Sequence, residues 1–438
     1  MKNKILIISF IIASIIYGQN KKYSLDEIIQ LGIQNSKTLI ISDAKVLSAS
    51  AKVKEINSQR LPQLKFNASY MRLSEVPPFE ISMSFLPNPI RIQDAILNTY
   101  NLKLSLQQPI FTGFKLSSLN EAANYNLESA ELDHIKEMNE ETFKIISAFW
   151  NVYKIENANK IVEENIKSLE AHLKDSRNFL ENDLITKNDI LKLEVQKSSV
   201  QLKQIELNNS LEVAKALLNK TIGNNITDNI EITSGDINFN KVNFDFNDLL
   251  NEAKSNRLEI KSLAKKLSAG EEQLSASKSG WYPSVFLVSD FYYSRPNQRI
   301  FPMKDRFDDT WDVGISLSWD VWNWGYNSSQ SQQAESNLIQ LETSKAQLED
   351  AVEIDVYNTF LQLQSAMKKV ELNKLTVEQA EENYRITNDK YLEQLVSSTD
   401  LIDAETSKFS SQTELLNSLV DYELAKIKLD KAVGKKLY

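Results

Sequence analysis

The chain has 438 residues, a formal net charge of -9, two histidines and no cysteine. Without cysteine it forms no disulfide, thiolate metal site or lipid-modified N-terminal cysteine, and an acidic chain without basic clusters argues against a nucleic-acid partner. Only 10 glycines occur, which favours long helices over a compact α/β enzyme.

The N-terminus has the pattern of a secretory signal peptide, which we place at residues 1–18. Lys2 and Lys4 precede an apolar run from Ile5 to Ile16, and small and polar residues follow. The run is too short to cross a bilayer as a helix, although a retained anchor is the alternative. No later stretch approaches about 18 apolar residues, so the mature chain is expected to be periplasmic or to enter the outer membrane as strands.

The rest of the chain contains an internal repeat. The segment from Leu25 to Pro62 reappears 221 residues later, and further along the shift becomes 211 residues, as between Gly223 and Gly434. One insertion or deletion in the loop before residue 105 explains the difference. We predict a first repeat over residues 19–223, an inter-repeat linker over 224–245, a second repeat over 246–434 and a C-terminal tail over 435–438.

Each repeat is predicted to run helix, strand, loop, strand and then a very long helical hairpin. Ser24 and Glu27 form a capping-box pattern at the start of the first helix, and Asp245 and Asp248 occupy the equivalent places in the second repeat. Both helices are predicted to end before a proline, because proline lacks an amide hydrogen and disfavours helix in the residue before it.

Beyond those prolines the apolar residues alternate with polar ones, which predicts strands at about 64–73, 100–111, 284–294 and 311–322. Strands of about ten residues are long enough to cross a membrane at a tilt. An ordinary antiparallel sheet on a soluble core would show the same alternation. Aromatic residues near the strand ends are expected to form girdles at the two lipid–water interfaces. The predicted girdle consists of Tyr70, Tyr100, Tyr293, Trp311, Trp319 and Trp322.

The helical hairpins are too long to fold back over so small a sheet. Residues 114–181 and 326–394 contain neither proline nor glycine, and at about 1.5 Å per residue each would extend on the order of 100 Å. Four strands cannot close a membrane barrel, since the smallest barrels have about eight, and an open edge in lipid leaves backbone groups unpaired. Several copies are therefore expected to pool their strands. This argument requires at least two chains without fixing the number, and a sheet that never enters lipid is the alternative.

Three short motifs and their order carry a family resemblance: Gln108–Gly113, Asp320–Gly325 and Asp400–Ala404. With the repeat and the element lengths, they resemble the TolC family of outer-membrane factors over nearly the whole mature sequence. The resemblance implies a mainly α fold with a membrane β-barrel portion, in which a homotrimer forms a twelve-stranded barrel and a periplasmic helical tunnel. It also implies a mixed belt around the tunnel, for which residues 224–245 and the C-terminal tail are candidates.

The same resemblance implies an outer-membrane channel subunit that spans into the periplasm. Such a subunit forms the exit duct of a tripartite efflux or type I secretion system, opened by a periplasmic adaptor and an inner-membrane pump. No nucleophile with a base, metal cluster or phosphate loop is found, so we expect no enzyme, cofactor or metal, and His134 and His172 lie in polar helical sequence. The alternative function is a soluble periplasmic coiled-coil adaptor or structural protein, which would also have long hairpins.

The hairpin turns, near 182–188 and 393–399, are the predicted gate. Asp400 and Asp403 are three residues apart and therefore share a helix face, so a three-fold axis would make two carboxylate rings that attract cations. The resemblance places them at an acidic constriction and Tyr391 at a gating tyrosine. Simple capping of the helix start is the alternative. The first repeat has Asp189 but Lys192 at the equivalent spacing.

The turns also depart from the family pattern. Asp183 and Gln394 replace the usual turn glycines, and Val396 replaces the gate arginine, which puts a salt-bridge lock in doubt. Both turns carry apolar residues that are predicted to dock the hairpin tips of an adaptor, with packing against neighbouring tunnel helices as the alternative. The predicted docking residues are Leu184, Ile185, Leu395 and Val396.

Overall fold

The structure is a computed structural model that describes residues 22–93, 95–233, 235 and 237–438. The predicted signal peptide over residues 1–18 lies outside the described residues. The chain divides into two compact units, each assembled from both repeats. Within the described residues, the first unit comprises 22–42, 135–258 and 350–438, and the second comprises 43–134 and 259–349.

The elements follow the same order in the two repeats. The helices are α1 Leu25–Asn35, α2 Lys37–Ser58, α3 Lys115–Glu181, α4 Lys187–Ile222, α5 Phe246–Asn256, α6 Leu258–Ser277, α7 Tyr326–Leu392 and α8 Ser398–Ala432. The strands are β1 Lys22–Tyr23, β2 Gln63–Arg72, β3 Phe79–Ile81, β4 Ile90–Gln93, β5 Asn98–Thr112, β6 Glu231–Ile232, β7 Ser284–Arg295 and β8 Asp308–Ser318. A 3-10 turn, Lys278–Trp281, precedes β7.

The single helix predicted at the start of each repeat is wrong, because two helices occupy that place. The break falls at Ser36 in the first repeat and at Arg257 in the second, where ψ is 118° and 123° respectively. Ser36 is buried, and its Oγ accepts from the Leu39 N–H at 3.3 Å, which caps the start of α2. Arg257 donates to Asp355 Oδ2 at 2.8 Å. The breaks lie 221 residues apart, so they belong to the duplicated pattern.

The capping predictions and the long hairpins agree with the structure. Ser24 and Glu27 form a capping box, and Asp245 accepts from the amides of Asn247 and Asp248. Helices α3 and α7 each contain 67 residues. None of the helices in the described residues is both long and apolar enough to span a bilayer.

The second unit contains a four-stranded antiparallel sheet with the order β2-β5-β7-β8. Its register aligns the apolar residues of all four strands on one face. Phe66 lies opposite Leu104, Leu104 opposite Phe291, and Phe291 opposite Trp311. The other face is polar and includes an ion pair of 2.9 Å between Lys103 Nζ and Asp290 Oδ2. On the apolar face Phe66 is 67% exposed and Trp311 is 69% exposed, so this face has no protein core above it in the described subunit.

The last strand lies earlier in the chain than predicted, at Asp308–Ser318 rather than at about 311–322. Ser318 pairs with Ser284, the first residue of β7, so the chain beyond it has no neighbouring strand to bond. The central strand β5 continues to Thr112 because it also pairs with β7 at that end. The insertion that changes the repeat shift lies between β2 and β5, where the antiparallel pair β3–β4 has no counterpart between β7 and β8.

In the first unit the inter-repeat linker pairs with the short strand that precedes α1. Strand β6 of the linker pairs in parallel with β1, and Ile230 beside it is only 1% exposed. Ile230 belongs to a cluster of buried apolar residues from α1, α3 and α4, against which Tyr438 of the C-terminal tail also packs. Linker and tail therefore contact the same core.

Candidate functional site

The two hairpin turns in the first unit have the same backbone. Asp183 and Gln394, 211 residues apart, both adopt the left-handed conformation with φ of 58° and 63°. In the first turn the Leu184 N–H donates to Phe179 O at 2.9 Å, and in the second the Leu395 N–H donates to the carbonyl five residues before it at 2.8 Å. The turn geometry is thus kept although the glycine that suits positive φ is absent.

Each turn ends in a capping box. Thr186 Oγ1 donates to Asp189 Oδ2 at 2.6 Å, and Ser397 Oγ donates to Asp400 Oδ2 at 2.7 Å. The Ser397 hydrogen bonds hold the pKa of Asp400 below its usual value, so its carboxylate is charged at neutral pH. Asp400 therefore caps α8, as the alternative interpretation expected, and it remains exposed together with Asp403.

Tyr391 is buried between the two hairpins, where α7 meets α3. It is 2% exposed, its hydroxyl lies 2.6 Å from Ser176 Oγ, and its ring meets Phe179 edge-on at 5.9 Å. Burial raises the pKa of Tyr391, so the hydroxyl is neutral at physiological pH. Tyr391 thereby ties the last turn of α7 to α3.

The four apolar turn residues have different surroundings. Leu184 is 51% exposed and Leu395 is 68% exposed. Ile185 packs against a buried cluster formed by residues of α3 and α4, and Val396 is half-buried. One leucine in each turn is therefore free to contact another protein.

A buried acid near the second turn was missed by the sequence analysis. Glu405 of α8 is 1% exposed, and neither of its carboxyl oxygens has a hydrogen-bond partner among the described residues. His172 Nε2 of α3 lies 3.9 Å from Glu405 Oε1 and 2.8 Å from the Tyr384 hydroxyl of α7. The repeat counterpart of Glu405 is Glu194, which is only half-buried and pairs with Arg177 at 3.2 Å, so no pattern in the sequence marks Glu405 as buried.

Burial controls the charge of this cluster. It raises the pKa of Glu405 to about 7, an effect that the nearby Ser168 hydroxyl and the Lys408 ammonium oppose. Burial also lowers the pKa of His172, against the attraction of Asp175. At neutral pH the histidine is therefore uncharged and the acid holds its proton in part of the population.

The predicted girdle residues fall at opposite ends of the sheet. At one end Tyr70 pairs in register with Tyr100, with ring centroids 4.9 Å apart. Tyr293 is level with Leu102, and Trp311 is level with Leu104, so they lie two and four residues further along β5. The remaining two, Trp319 and Trp322, follow the end of β8 and are 53% and 75% exposed.

The chain matches the family described as "Outer membrane efflux protein" over residues 28–224 and 249–435. The chain belongs to this family. The two matched segments correspond to the two repeats, which agrees with the duplication found in the sequence.

Individual outer membrane proteins are similar to this chain in sequence and fold. The chain is 21% identical over 400 residues to the outer membrane protein TolC of Escherichia coli K12, covering 88% of this chain and 77% of TolC. The outer membrane protein VceC from Vibrio cholerae has a TM-score of 0.77 at 18% identity, covering 94% of this chain and 97% of VceC. The MtrE outer membrane channel of Neisseria gonorrhoeae, solved in its open state, has a TM-score of 0.76 at 17% identity, covering 94% and 89% of the chains.

Family membership confirms the predicted fold class, location and partners. The structural neighbours are TolC-like channels with a helical tunnel and a barrel. The protein is an outer-membrane efflux channel with a periplasmic tunnel, and the soluble adaptor alternative is not favoured. It acts as a homotrimer with a periplasmic adaptor and an inner-membrane pump in a tripartite system. Proteins of this family are channels and transport proteins.

Proposed function

We propose that the subunit is a passive conduit without a catalytic step and that its opening is controlled at the two hairpin turns. The observation that carries this proposal is that the turns share one backbone but differ in charge. The second turn is followed by Asp400 and Asp403, whereas the first is followed by Asp189 and Lys192. Around the three-fold axis of the trimer the second turn supplies two rings of carboxylates, which attract cations and repel anions.

Tyr391 is proposed to hold the gate through its buried contact with α3. Its hydroxyl bonds to Ser176 and its ring packs on Phe179. Any movement of the last turn of α7 away from α3 must break both contacts. Tyr391→Phe removes the hydrogen bond and keeps the ring, so it tests whether the hydroxyl restrains opening.

The carboxylate rings are tested by single-channel currents in planar bilayers. Replacing Asp400 and Asp403 together with alanine is expected to raise conductance and to weaken block by multivalent cations. Asparagine at both positions keeps an oxygen acceptor for the cap and removes the charge, so it separates the ring from helix capping. Glu206→Gln, at an exposed carboxylate on α4, is the matched control. Unchanged currents in both double variants contradict the gate.

The exposed turn leucines are proposed to dock the hairpin tips of the periplasmic adaptor. Leu184 and Leu395 offer the free apolar surface, while Ile185 and Val396 support them from the partly buried side. A photo-cross-linker at Leu184 or Leu395 is expected to capture the adaptor. The control is the same cross-linker at Leu372, which is 65% exposed on α7 away from the turns. Absence of adaptor adducts at both leucines argues against docking.

The aromatic residues at the two ends of the sheet are proposed to lie at the two lipid–water interfaces. The exposed apolar face between them supports this placement, because only lipid would cover it favourably. Variants that keep one tryptophan, at residue 311 or at residue 319, are expected to be quenched most by lipids brominated near the headgroup. Strongest quenching at mid-bilayer depth would contradict the girdle.

The domain division is proposed as predicted, with residues 224–245 and the C-terminal tail as the belt around the tunnel. Support comes from the pairing of β6 with β1 and from the core that Ile230 and Tyr438 share. Deleting residues 435–438 is expected to lower the thermal stability of the trimer while leaving its insertion in the outer membrane intact.

A further inference from the structure

Within one subunit a row of polar contacts joins α4 to α8. The three hydrogen bonds, from the turns outward, are Ser398 Oγ to Asp189 Oδ1 at 2.8 Å, Lys192 Nζ to Thr399 Oγ1 at 3.0 Å and Gln196 Nε2 to Thr406 Oγ1 at 3.2 Å. The hydrogen bonds from Thr186 and Ser398 together lower the pKa of Asp189. This row defines how a first-repeat hairpin meets a second-repeat hairpin.

Helices α4 and α8 are related by the 211-residue repeat. Each of them therefore also carries positions equivalent to those through which the other makes this contact. Asp400 occupies on α8 the place of Asp189 on α4, and Lys187 occupies on α4 the place of Ser398 on α8. In a closed homotrimeric ring the six hairpins alternate between first and second repeats. Each second-repeat hairpin therefore has two first-repeat neighbours, one in its own subunit and one in the next. An equivalent of the α4–α8 contact between subunits would join the α8 of one subunit to the α4 of the next.

The surfaces that this second contact needs are exposed in one subunit. On α4, Leu191 is 48% exposed and Val195 is 70% exposed. Their counterparts on α8 are Ile402, which packs on a buried cluster that includes residues of α4, and Thr406, which bonds Gln196. Because the α8 positions face their own α4, the matching α4 positions are suited to face the α8 of a neighbouring subunit.

We propose that Lys187 of one subunit and Asp400 of the adjacent subunit form an ion pair across the subunit interface, beside the hairpin turns. By the repeat, this ion pair between subunits is equivalent to the Ser398–Asp189 hydrogen bond inside each subunit. Both side chains are exposed, and within the part of the subunit that the structure describes neither has an ion-pair partner. Opposite charges thus meet where the two repeats have diverged. The proposal rests on the homotrimer and goes beyond the gate.

The ion pair gives the two carboxylate rings different net charges. Asp400 is balanced by Lys187 of the partner subunit, whereas the same repeat relation brings Asp403 to the neutral Asn188 of the partner subunit. The field felt by a permeating cation therefore comes mainly from Asp403.

Cross-linking in the full-length protein tests the contact directly, because the chain has no native cysteine. Lys187→Cys with Asp400→Cys, treated with a short bifunctional maleimide in outer-membrane fractions, is expected to give covalent dimers and trimers on denaturing gels. The matched control is Asp189→Cys with Ser398→Cys, whose partners lie in one chain and whose product runs as a monomer. Monomers alone from the first pair, with the control cross-linked, would overturn the proposal.

Charge reversal tests the ion pair itself. Lys187→Glu places two acids together and is expected to speed dissociation of the trimer in detergent about two- to fivefold, the range for an exposed pair. Asp400→Asn in the same chain is expected to restore the slower rate. If Lys187→Glu has the same effect with either residue at 400, there is no ion pair. Neither measurement uses conductance, so failure of the gate and failure of this interface are distinguishable.

Discussion

The two hairpin turns have kept their backbone and changed their chemistry. Both have a left-handed residue followed by a capping box, yet the residue next to the cap is Lys187 in one and Ser398 in the other. The backbone is the same because both helical pairs reverse direction in the same number of residues. The side chains differ because in a ring of duplicated subunits each turn has a different neighbour on each side.

Glu194 and Glu405, seven residues further along the same two helices, show a similar difference between the repeats. They occupy equivalent repeat positions, but Glu194 is half-buried beside the exposed Arg177, whereas Glu405 is fully buried beside His172. An identical residue therefore has two different electrostatic roles. The difference arises from the packing of α3 and α7 around α8 rather than from the helix that carries the acid.

The largest predicted effect separates these two glutamates by pH. The folded subunit holds a proton on Glu405 up to about pH 7, whereas the unfolded chain loses it near 4.5. The stabilisation is therefore complete below about pH 4.5 and is lost as pH rises through 7. Relative to Glu405→Gln, wild-type stability should fall by about 3 kcal/mol between acid and mildly alkaline pH, measured by urea unfolding in detergent.

His172 contributes a slope of the opposite sign. Burial lowers its pKa below 6.5, so its stabilisation is present above that pH and is lost as pH falls. Glu405→Gln keeps this contribution and should therefore gain stability with rising pH. Glu194→Gln is the control and should follow the wild-type profile. Identical profiles for Glu405→Gln and wild type would show that the buried acid does not titrate as described.

The glycines that end the two hairpins give the next largest effect. Gly223 and Gly434 have φ of 86° and 82°, and a Cβ at Gly434 would lie 2.8 Å from the backbone carbon of Asn256. Gly434→Ala should cost about 2 kcal/mol, from left-handed strain plus this collision. Gly223→Ala should cost about as much, because the new Cβ would lie 2.6 Å from the Cβ of Asn35, an atom that cannot move without its backbone. Thermal unfolding of the trimers would measure both losses, and a loss well below about 1 kcal/mol in either variant contradicts this explanation.

Restoring glycine at the turns should stabilise both hairpins by a smaller amount. Asp183 and Gln394 pay left-handed strain that glycine avoids, so Asp183→Gly and Gln394→Gly should each add about 1 kcal/mol. Slower hydrogen exchange at the turn amides would report it. Gln394→Ala keeps a Cβ and should show no gain, whereas an equal gain with alanine would rule out strain as the cause.

The exposed partner of Glu194 should matter least. Arg177 is largely in solvent and lies 3.2 Å from the half-exposed Glu194 side chain, and such surface pairs contribute about 0.5 kcal/mol or less. Arg177→Ala should therefore shift the urea midpoint only slightly, and high salt should abolish the shift. A loss comparable to that at Gly434 would mean that the pair is buried in the trimer.

The sequence predicted the features that depend on local pattern. The repeat with its two shifts, the four alternating strands, the capping boxes and the uninterrupted hairpins were all visible, because period, caps and breakers are local properties. The breaks at Ser36 and Arg257 were not visible, since neither residue is a helix breaker. Each residue bonds to another part of the fold: Ser36 Oγ donates to Glu141 Oε2 of α3 at 3.2 Å, and Arg257 donates to Asp355 of α7. The end of β8 was likewise misplaced, because a strand ends where its neighbour does.

The sequence alone thus determined the architecture: a duplicated chain whose strands cannot close by themselves and whose helices need partners along their length. Only the tertiary structure decided that Glu405 is fully buried while Glu194 is not, that Tyr391 packs against α3, and that α4 contacts α8 through Asp189 and Ser398. The physical reason is that periodicity says which face of a helix is apolar, while the charge and accessibility of one side chain depend on which other helices surround it.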